Sequence, residues 1–207
     1  LSVFWDDLEQ IEGRYSPKTD WPAIANTYYS SIDMPLTLTF SVIDTTADRR
    51  PEAYKGLAWD DPRLIAEFGR HIDDVMARLS DIDILSVSIG NEVNGYLATN
   101  PQITAYAKFL AAAKDRVLTW RPKVSVGTKL TFSGLQDHLA AWQPILDASH
   151  GLHVTYYPLG PDFGIKPNLN VQDDLALLIR TADGQPIYIL EAGYPSEGCG
   201  APADGQT

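Results

Sequence analysis

Short β-rich runs alternate along the chain with segments of helical periodicity. The β-rich runs cover residues 1–5, 35–44, 84–92, 123–131, 152–157 and 186–191. The helical segments between them cover residues 21–32, 62–79, 100–120, 135–148 and 171–182. Strand followed by helix, repeated about five times, predicts a parallel sheet covered by helices.

The clearest predicted helix has complete start signals. Asp61 is a typical N-cap residue, and Pro62 stands at the first helical position. Apolar residues then recur at three- and four-residue steps, which is the spacing of one buried helix face, at Ile65, Phe68, Ile72, Val75, Met76 and Leu79.

The two faces of the predicted strands favour a closed barrel over an open sheet. Between residues 36 and 42 the even positions are large and apolar, whereas the odd positions are threonine or serine. Small polar residues on one face and large aliphatic residues on the other fit a narrow barrel interior inside a ring of helices. An open doubly wound sheet is more usually apolar throughout, and no strand is followed by a glycine-rich phosphate turn. The pattern predicts one α/β domain, residues 1–207, of the (β/α)8 TIM-barrel type.

The charge balance argues against several classes of partner. The chain has 207 residues, with 16 Lys and Arg against 27 Asp and Glu, so its net charge is -11. This field repels phosphate backbones and anionic lipids, and the densest basic stretch is only Arg49 and Arg50. No apolar run approaches the roughly 20 residues of a membrane span. We expect no nucleic acid, no membrane span and no cofactor. Because the chain starts with Leu1, removal of a leader and an extracellular or periplasmic location fit the sequence.

Two glutamates each finish an apolar strand. Glu92 ends the run Ile-Leu-Ser-Val-Ser-Ile-Gly-Asn-Glu, and Glu191 ends the run Pro-Ile-Tyr-Ile-Leu-Glu. In a βα barrel the carboxyl ends of the strands form the rim that carries the active site, so both carboxylates can project into one mouth. A single strand-end glutamate could equally cap a helix or pair with a surface lysine, but two at equivalent places favour a function.

Paired carboxylates suit the cleavage of glycosidic bonds. One must be protonated to assist the leaving oxygen, and the other must be ionised to attack or to activate water. A separation of about 5 to 5.5 Å predicts retention of stereochemistry, and about 6.5 to 9.5 Å predicts inversion. Asn91, beside Glu92, could hydrogen-bond a sugar 2-hydroxyl, or it could be a turn residue at the strand end.

Three motifs resemble the fourth, sixth and seventh strand ends of clan A glycoside hydrolases. They read Ile89-Gly-Asn-Glu-Val, His153-Val-Thr-Tyr-Tyr-Pro and Leu190-Glu-Ala-Gly-Tyr-Pro-Ser. The resemblance implies a retaining (β/α)8-barrel enzyme in which Glu92, after Asn on strand 4, is the acid/base and Glu191, ending strand 7, is the nucleophile. An independent count agrees, since taking 84–92 as strand 4 makes 186–191 strand 7.

Within the clan, the motifs of this chain resemble two different families. Gly90-Asn-Glu-Val and Glu191-Ala-Gly-Tyr-Pro-Ser-Glu-Gly are similar to the endo-β-1,3-glucanases of family 17. Tyr156-Tyr-Pro and Asn91-Glu-Val-Asn-Gly-Tyr-Leu are similar to the endo-β-1,4-galactanases of family 53. Leu190 departs from the first family, in which a small residue usually precedes the nucleophile. The resemblance implies an endo-acting enzyme on a β-linked polysaccharide or oligosaccharide and leaves the sugar and linkage open.

Further residues near the predicted mouth are candidates for binding the carbohydrate. Tyr156 or Tyr157, ending the strand beside the nucleophile, could donate its hydroxyl to that carboxylate, and parity does not decide which one points inward. Trp5 and Asp6 end the first strand, where a ring can stack on a sugar and a carboxylate can bind its hydroxyls. Trp5 could equally pack in the rim.

Loops beyond the strand ends supply additional candidates for the substrate cleft. Tyr194 follows the last strand and is predicted to line the cleft. Trp59, Tyr96 and Lys129 lie in or near predicted βα loops and are secondary candidates.

The histidines do not predict a metal site. His71-x-x-Asp74 and His150-x-x-His153 are the only close pairings, and neither has the i, i+4 spacing of H-E-x-x-H. We also place His71 on the solvent side of its helix. Two rival functions stay open: a non-catalytic carbohydrate-binding barrel module, and a barrel enzyme of other chemistry such as a metal-dependent isomerase.

The strand count predicts an incomplete barrel. With 84–92 as strand 4, residues 1–5 become strand 2, so strands 1 and 8 have no residues in this chain. A barrel without two adjacent strands would have unpaired edges, which natural sheets avoid. We therefore expect six parallel strands in an arc that further segments or domains of a longer chain complete at both ends.

Overall fold

The computed structural model of the protein describes residues 1–11, 14–159, 164 and 169–193. Sixteen strands and helices follow one another in the described residues: β1 (Ser2–Phe4), β2 (Leu8–Ile11), β3 (Arg14–Pro17), α1 (Trp21–Ser31), β4 (Leu36–Asp44), β5 (Ala47–Asp48), α2 (Pro62–Arg78), β6 (Ile84–Asn91), α3 (Asn100–Trp120), β7 (Ser125–Gly127), β8 (Lys129–Thr131), α4 (Phe132–Asp137), α5 (Leu139–Ala148), β9 (Leu152–Tyr156), α6 (Leu169–Ala182) and β10 (Ile187–Ala192).

Six parallel strand positions form an arc. β1 pairs with β4, β4 with β6, and β6 with β7. After Thr128 the chain continues as β8, which pairs with β9, and β9 pairs with β10. This order is the one expected for barrel strands 2 to 7 and confirms the predicted TIM-barrel type. In the part of the chain that the structure describes, β1 and β10 each have a parallel neighbour on one side only.

The alternation of residues along the strands places small polar side chains inside the arc. The Ser88 hydroxyl lies 2.8 Å from Nδ1 of His153, although β7 and β8 separate their two strands in the arc. This contact crosses the interior, so the residues in phase with Ser88 and His153 also point inward. The buried inward-facing set includes Thr39, Ser41, Ser86, Ser125 and Thr155.

Large apolar side chains on the opposite strand faces pack against the helices. Leu38, Phe40, Val87, Ile89 and Val154 are each at most 1% exposed. Burying these faces under amphipathic helices supplies the main driving force for this layered fold.

Helices α2 and α3 confirm the predicted start signals. The Asp61 carboxylate accepts a 2.8 Å hydrogen bond from the Arg63 amide and caps α2. At the start of α3, Thr99 and Gln102 form a reciprocal capping box. Both helices therefore begin where the sequence predicts.

Some details differ from the sequence-based expectation. The predicted strand 123–131 is interrupted at Thr128, whose hydroxyl donates to the Ile89 carbonyl. The predicted helix 135–148 is divided at His138 into α4 and α5. An antiparallel hairpin of β2 and β3 and the short antiparallel strand β5 were not predicted. Among the described helices, none combines the length and apolar character needed to cross a membrane.

Candidate active site

The two predicted catalytic glutamates lie at the same end of the arc. Glu92 directly follows β6, and Glu191 lies near the end of β10. Both positions are carboxyl ends of parallel strands, which is the face of a βα barrel that carries active sites. Side chains from β4, β8 and β9 reach the same region.

Backbone strain marks the end of β6. Gly90 has a φ of 84°, and a Cβ added there would come within 2.5 Å of the Val93 side chain and 2.6 Å of the Tyr106 hydroxyl. Glu92 adopts the left-handed conformation with a φ of 47°. Thr45, directly after β4, has a φ of 54°, which is costly for a β-branched residue. Strained residues of this kind concentrate at functional sites.

Two threonine hydroxyls hold the Glu92 carboxylate. Thr155 on β9 donates to Oε1 at 2.7 Å, and Thr45 donates to Oε2 at 3.0 Å. The strained Thr45 backbone is fixed by a further bond, in which its amide donates to the Asn91 carbonyl at 3.0 Å. Each oxygen of Glu92 therefore has a neutral donor that sets its orientation.

Asn91 is fixed by a carboxylate on the neighbouring strand. Its Nδ2 donates a 2.9 Å hydrogen bond to Asp44. Its Oδ1 is buried and has no hydrogen-bond partner among the described residues. An oriented amide with a free acceptor can take a hydrogen bond from a sugar hydroxyl.

Glu191 is held by a buried cation. Lys129 on β8 donates to Oε1 of Glu191 at 2.7 Å, with 5% of the Lys129 side chain and 39% of the Glu191 side chain exposed. Lys129 pairs in register with the inward-facing His153, so it reaches Glu191 from inside the barrel. The ammonium stabilises the ionised carboxylate by charge and by a hydrogen bond.

Thr155 connects the two glutamates. It is paired in register with Glu191 across β9 and β10, and its hydroxyl contacts Glu92. Adjacent strands lie about 4.8 Å apart, so the residue that contacts the Glu92 carboxylate is the backbone neighbour of Glu191. The predicted separation of about 5 to 5.5 Å stays a prediction.

A neutral histidine lies beneath this pair. His153 is 1% exposed, and its Nε2 lies 3.4 Å from the Ser125 hydroxyl. Burial, with a smaller contribution from the charge of Lys129, lowers the pKa of His153 to about 3. His153 is therefore uncharged near neutral pH and does not compete with Lys129 for Glu191.

The structure separates the two tyrosines that end β9. Tyr156 points to the helical layer, where its hydroxyl donates to Asp174 of α6 at 3.0 Å and its ring packs on Phe132. Burial and this hydrogen bond raise the pKa of Tyr156. The expectation that Tyr156 could support the nucleophile is corrected, since its hydroxyl is directed away from the mouth. Tyr157 is 45% exposed and packs against Gly193, where an added Cβ would lie 2.6 Å from its ring.

Trp5 does not form a sugar platform. It is fully buried and lies between the rings of Tyr54 and His71, at 6.0 and 5.9 Å between centroids. The chain leaves β1 through a 3-10 turn at Trp5–Asp7, which turns this ring into the core. The alternative of a packing role is the correct one, although the ring packs in the core and not in the rim.

Asp6 lies beside a cation at the edge of the arc. Its Oδ1 is 3.0 Å from Nε of Arg49. Burial raises the pKa of Asp6, and the charge of Arg49 opposes that effect. Asp6 also lines a cavity of about 600 Å³ along β1, together with Lys18 and Trp21. Its role in binding substrate stays a prediction.

The secondary candidates have different positions. Trp59 is 4% exposed and packs under the Arg50 guanidinium, 4.2 Å from its ring centroid, so it belongs to the core. Tyr96 donates to Asp48 at 3.1 Å and so connects the segment after β6 to the short strand β5. Tyr194 lies outside the described residues.

Histidine placement differs from the expectation at one position. His71 is fully buried, not on the solvent side of α2, and burial lowers its pKa to about 3. Within the described ranges, no three His, Cys, Asp or Glu side chains are grouped so that they could hold a metal ion.

Sequence comparison gives one curated relative and no family assignment. The chain matches no protein-family model. It is 27% identical over 178 residues to a 2-pyrone-4,6-dicarbaxylate hydrolase of Comamonas testosteroni, covering 83% of this chain and 53% of that protein. The chain thus spans about half the length of this relative.

Solved structures with the same fold include several glycoside hydrolases. The GH53 catalytic domain of Ignisphaera aggregans matches with a TM-score of 0.66 and 18% identity, over 97% of this chain and 59% of that one. A fungal β-1,4-galactanase matches with a TM-score of 0.66 and 17% identity, over 88% of this chain and 59% of that one. The exo-β-1,4-mannosidase Op5Man5 of Opitutaceae bacterium strain TAV5 matches with a TM-score of 0.65 and 14% identity, over 93% of this chain and 38% of that one. These likenesses confirm the barrel fold, and the chain spans about three fifths of the first structure.

Proposed function

We propose that this chain carries the catalytic centre of a retaining β-glycosidase that hydrolyses a β-linked polysaccharide or oligosaccharide by double displacement. The observation that carries the proposal is the position of Thr155, bonded to Glu92 and in register with Glu191. It supports two carboxylates in one mouth, one with neutral partners and one with a cationic partner. Different environments for two carboxylates are the usual basis for separate acid and nucleophile roles.

In the first step, Glu191 is the nucleophile and Glu92 is the acid. Lys129 holds Oε1 of Glu191, so Oε2 attacks the anomeric carbon while the bond from that carbon to the leaving oxygen breaks. Glu92 gives its proton to that oxygen. The free Oδ1 of Asn91 accepts a hydrogen bond from the sugar 2-hydroxyl, and this contact stabilises the oxocarbenium-like transition state.

In the second step, Glu92 acts as a base. It takes a proton from water, whose oxygen attacks the anomeric carbon and displaces the Glu191 carboxylate. The product keeps the β-configuration, and Glu92 is again protonated for the next cycle.

The substrate class follows from the family resemblance and from the structural neighbours. Those neighbours include β-1,4-galactanases and an exo-β-1,4-mannosidase by name. We propose endo action on a β-linked glycan. Chain-length analysis of products from polysaccharides of defined linkage tests it, because endo action releases mixed oligosaccharides early and exo action releases one small product.

The mechanism is tested by substitution in the full-length protein. Glu191→Ala is expected to abolish turnover of every substrate. Glu92→Ala is expected to spare aryl glycosides with activated leaving groups, and azide is expected to rescue it as a β-glycosyl azide. An α-glycosyl azide from the Glu92 variant, with a β-glycosyl azide from the Glu191 variant, would reverse the two roles.

Two other functions are outcomes of the same experiment. Saturable carbohydrate binding without turnover would identify a non-catalytic carbohydrate-binding barrel. Turnover of a lactone, with none of any glycoside, would favour chemistry of the kind named for the Comamonas relative.

A further inference from the structure

The two glutamates differ in the charge of their partners. The described partners of the Glu92 carboxylate are the hydroxyls of Thr155 and Thr45. The described partner of Glu191 is the ammonium of Lys129. Hydroxyl donors stabilise a carboxylate through hydrogen bonds alone, whereas a buried ammonium adds the attraction of a full opposite charge.

Lys129 is positioned to exert a strong electrostatic effect on Glu191. Only 4% of this residue is exposed, so solvent screens its charge poorly. Removing Lys129 takes away the cation that contacts Glu191, whose own side chain is 39% exposed. The exposed pair of Lys108 and Asp60 has nearly the same separation, 2.8 Å against 2.7 Å, but 63% of the Lys108 side chain is in solvent.

Other titratable groups face this part of the barrel. His153 lies in register with Lys129 on β9 and is neutral near pH 7. Glu92 lies across the mouth on the far side of Thr155. The amino group of Leu1 is within electrostatic range of Lys129. Of these groups, Glu191 is the one that Lys129 contacts through a hydrogen bond.

We propose that Lys129 is a positioning residue that orients Glu191 as a carboxylate and stabilises it again when the glycosyl–enzyme bond breaks. This inference rests on the proposed function. In the intermediate, Glu191 is a neutral ester and Lys129 has lost its anionic partner. When water attacks, the bond from the anomeric carbon to Oε2 breaks and its electron pair returns to Glu191, while the water proton goes to Glu92. The ammonium of Lys129 favours that return of charge.

The first test needs no turnover. The carboxylate stretching band of Glu191 reports its hydrogen bond to Lys129 and is measured by infrared difference spectroscopy at pH 7 in the full-length protein, with Glu191→Gln identifying the signal. Lys129→Met is expected to shift this band, because the carboxylate loses its charged donor. Lys129→Arg, which keeps a charged donor, should shift the band less, and Lys108→Met, which removes a surface pair, should leave it unchanged.

The second test measures the two chemical steps separately. With an activated aryl β-glycoside, Lys129→Met is expected to slow hydrolysis of the intermediate about 10- to 100-fold. The variant should therefore give a burst of aryl alcohol and accumulate a covalent adduct on the peptide that contains Glu191. Lys129→Arg should recover part of the rate, and Lys108→Met should behave as the parent.

The outcomes separate this inference from the proposed function. An unchanged carboxylate band and unchanged hydrolysis of the intermediate in Lys129→Met, in a parent that cleaves glycosides, would overturn the role of Lys129 alone. A shifted band in a protein that cleaves no β-glycoside would overturn the catalytic role of both residues. If Lys129→Met does not fold, as judged by circular dichroism, Lys129→Gln carries the same two tests.

Discussion

Thr155 donates a 2.7 Å hydrogen bond to Glu92 although the two residues are 63 positions apart in the chain. The bond crosses from β9 to the end of β6, and Thr155 is at the same time the register partner of Glu191. Together with the Thr45 hydroxyl, Thr155 therefore orients the proposed acid from the strand next to the one that carries the proposed nucleophile.

Thr155→Val is expected to lower kcat/KM by about 10- to 100-fold, because a hydrogen bond to a charged group contributes about 1.5 to 3 kcal/mol. Valine keeps the shape of threonine and removes the donor. The loss should be larger for substrates with poor leaving groups, which depend on the acid. Values of kcat/KM for the parent and the variant on a series of aryl glycosides measure this dependence on the leaving group.

Thr155→Ser is the control for that change. Serine keeps the hydroxyl, so kcat/KM should stay close to the parent value. An equal loss for good and poor leaving groups in Thr155→Val would mean that Thr155 does not act through the acid.

Thr45→Gly is expected to raise stability and lower activity together. The left-handed backbone of Thr45 costs about 1 to 2 kcal/mol in a residue with a Cβ, and glycine relieves this cost. The same change removes the hydroxyl that binds Oε2 of Glu92. Urea unfolding should show a gain of about 1 kcal/mol, and kcat should fall severalfold.

A contrasting substitution tests whether strain is the cause. Thr45→Ser keeps a hydroxyl and the Cβ, so neither the stability nor the activity should change much. A Thr45→Gly variant that is less stable than the parent would show that this backbone position is not strained.

The two tyrosines that end β9 should respond in opposite ways. Tyr156→Phe removes the hydroxyl that donates to buried Asp174, and it is expected to cost about 1 to 3 kcal/mol of unfolding free energy with kcat/KM nearly unchanged. Tyr157→Phe removes a half-exposed hydroxyl at the mouth, so it should change kcat/KM without a comparable loss of stability. Urea unfolding and steady-state kinetics on both variants distinguish the two sites. If Tyr156→Phe lowers kcat/KM and Tyr157→Phe lowers the stability, then Tyr156, and not Tyr157, acts at the mouth.

The sequence was sufficient to predict the barrel and the positions of Glu92 and Glu191 at the ends of two parallel strands, because both depend on local pattern. Strand parity separates the inward serines and threonines from the outward aliphatics, and a strand-end carboxylate in a parallel sheet has one direction to point. The residues that hold the glutamates were not predicted as such. Thr45 and Thr155 are ordinary threonines in sequence, and their role depends on distances between strands that no local pattern contains.

The burial of Trp5, for which two roles were open, and the wrong placement of His71 have identifiable physical causes. Parity along β1 does not extend into the 3-10 turn that begins at Trp5, so it could not give the direction of that ring. His71 is three residues after Phe68 and four before Val75, so it belongs to the buried stripe of α2. The solvent-side prediction followed from the polarity of histidine and not from its position in the helix. The rings of Trp5 and Phe40 pack against His71 and bury it.

Acid should destabilise this protein through its buried histidines. Burial lowers the pKa of both His153 and His71 to about 3 in the folded state, whereas an unfolded histidine titrates near 6.5. Between these values the unfolded chain binds protons that the folded chain excludes, so the stabilising effect of each neutral ring is fully present above about pH 6.5 and is lost as the pH falls toward 3. The loss is about 1.4 kcal/mol per pH unit for each histidine.

His153→Asn should lack one histidine's share of this slope between pH 6 and 4, in urea unfolding measured at fixed salt. His138→Asn, at an exposed position, should keep the parent slope. Carboxylates titrate in the same range in all three proteins, so the difference between slopes isolates His153. Equal slopes in the parent and His153→Asn would mean that His153 is charged or solvated in the folded protein, which would contradict its neutral position beneath Lys129 and Glu191.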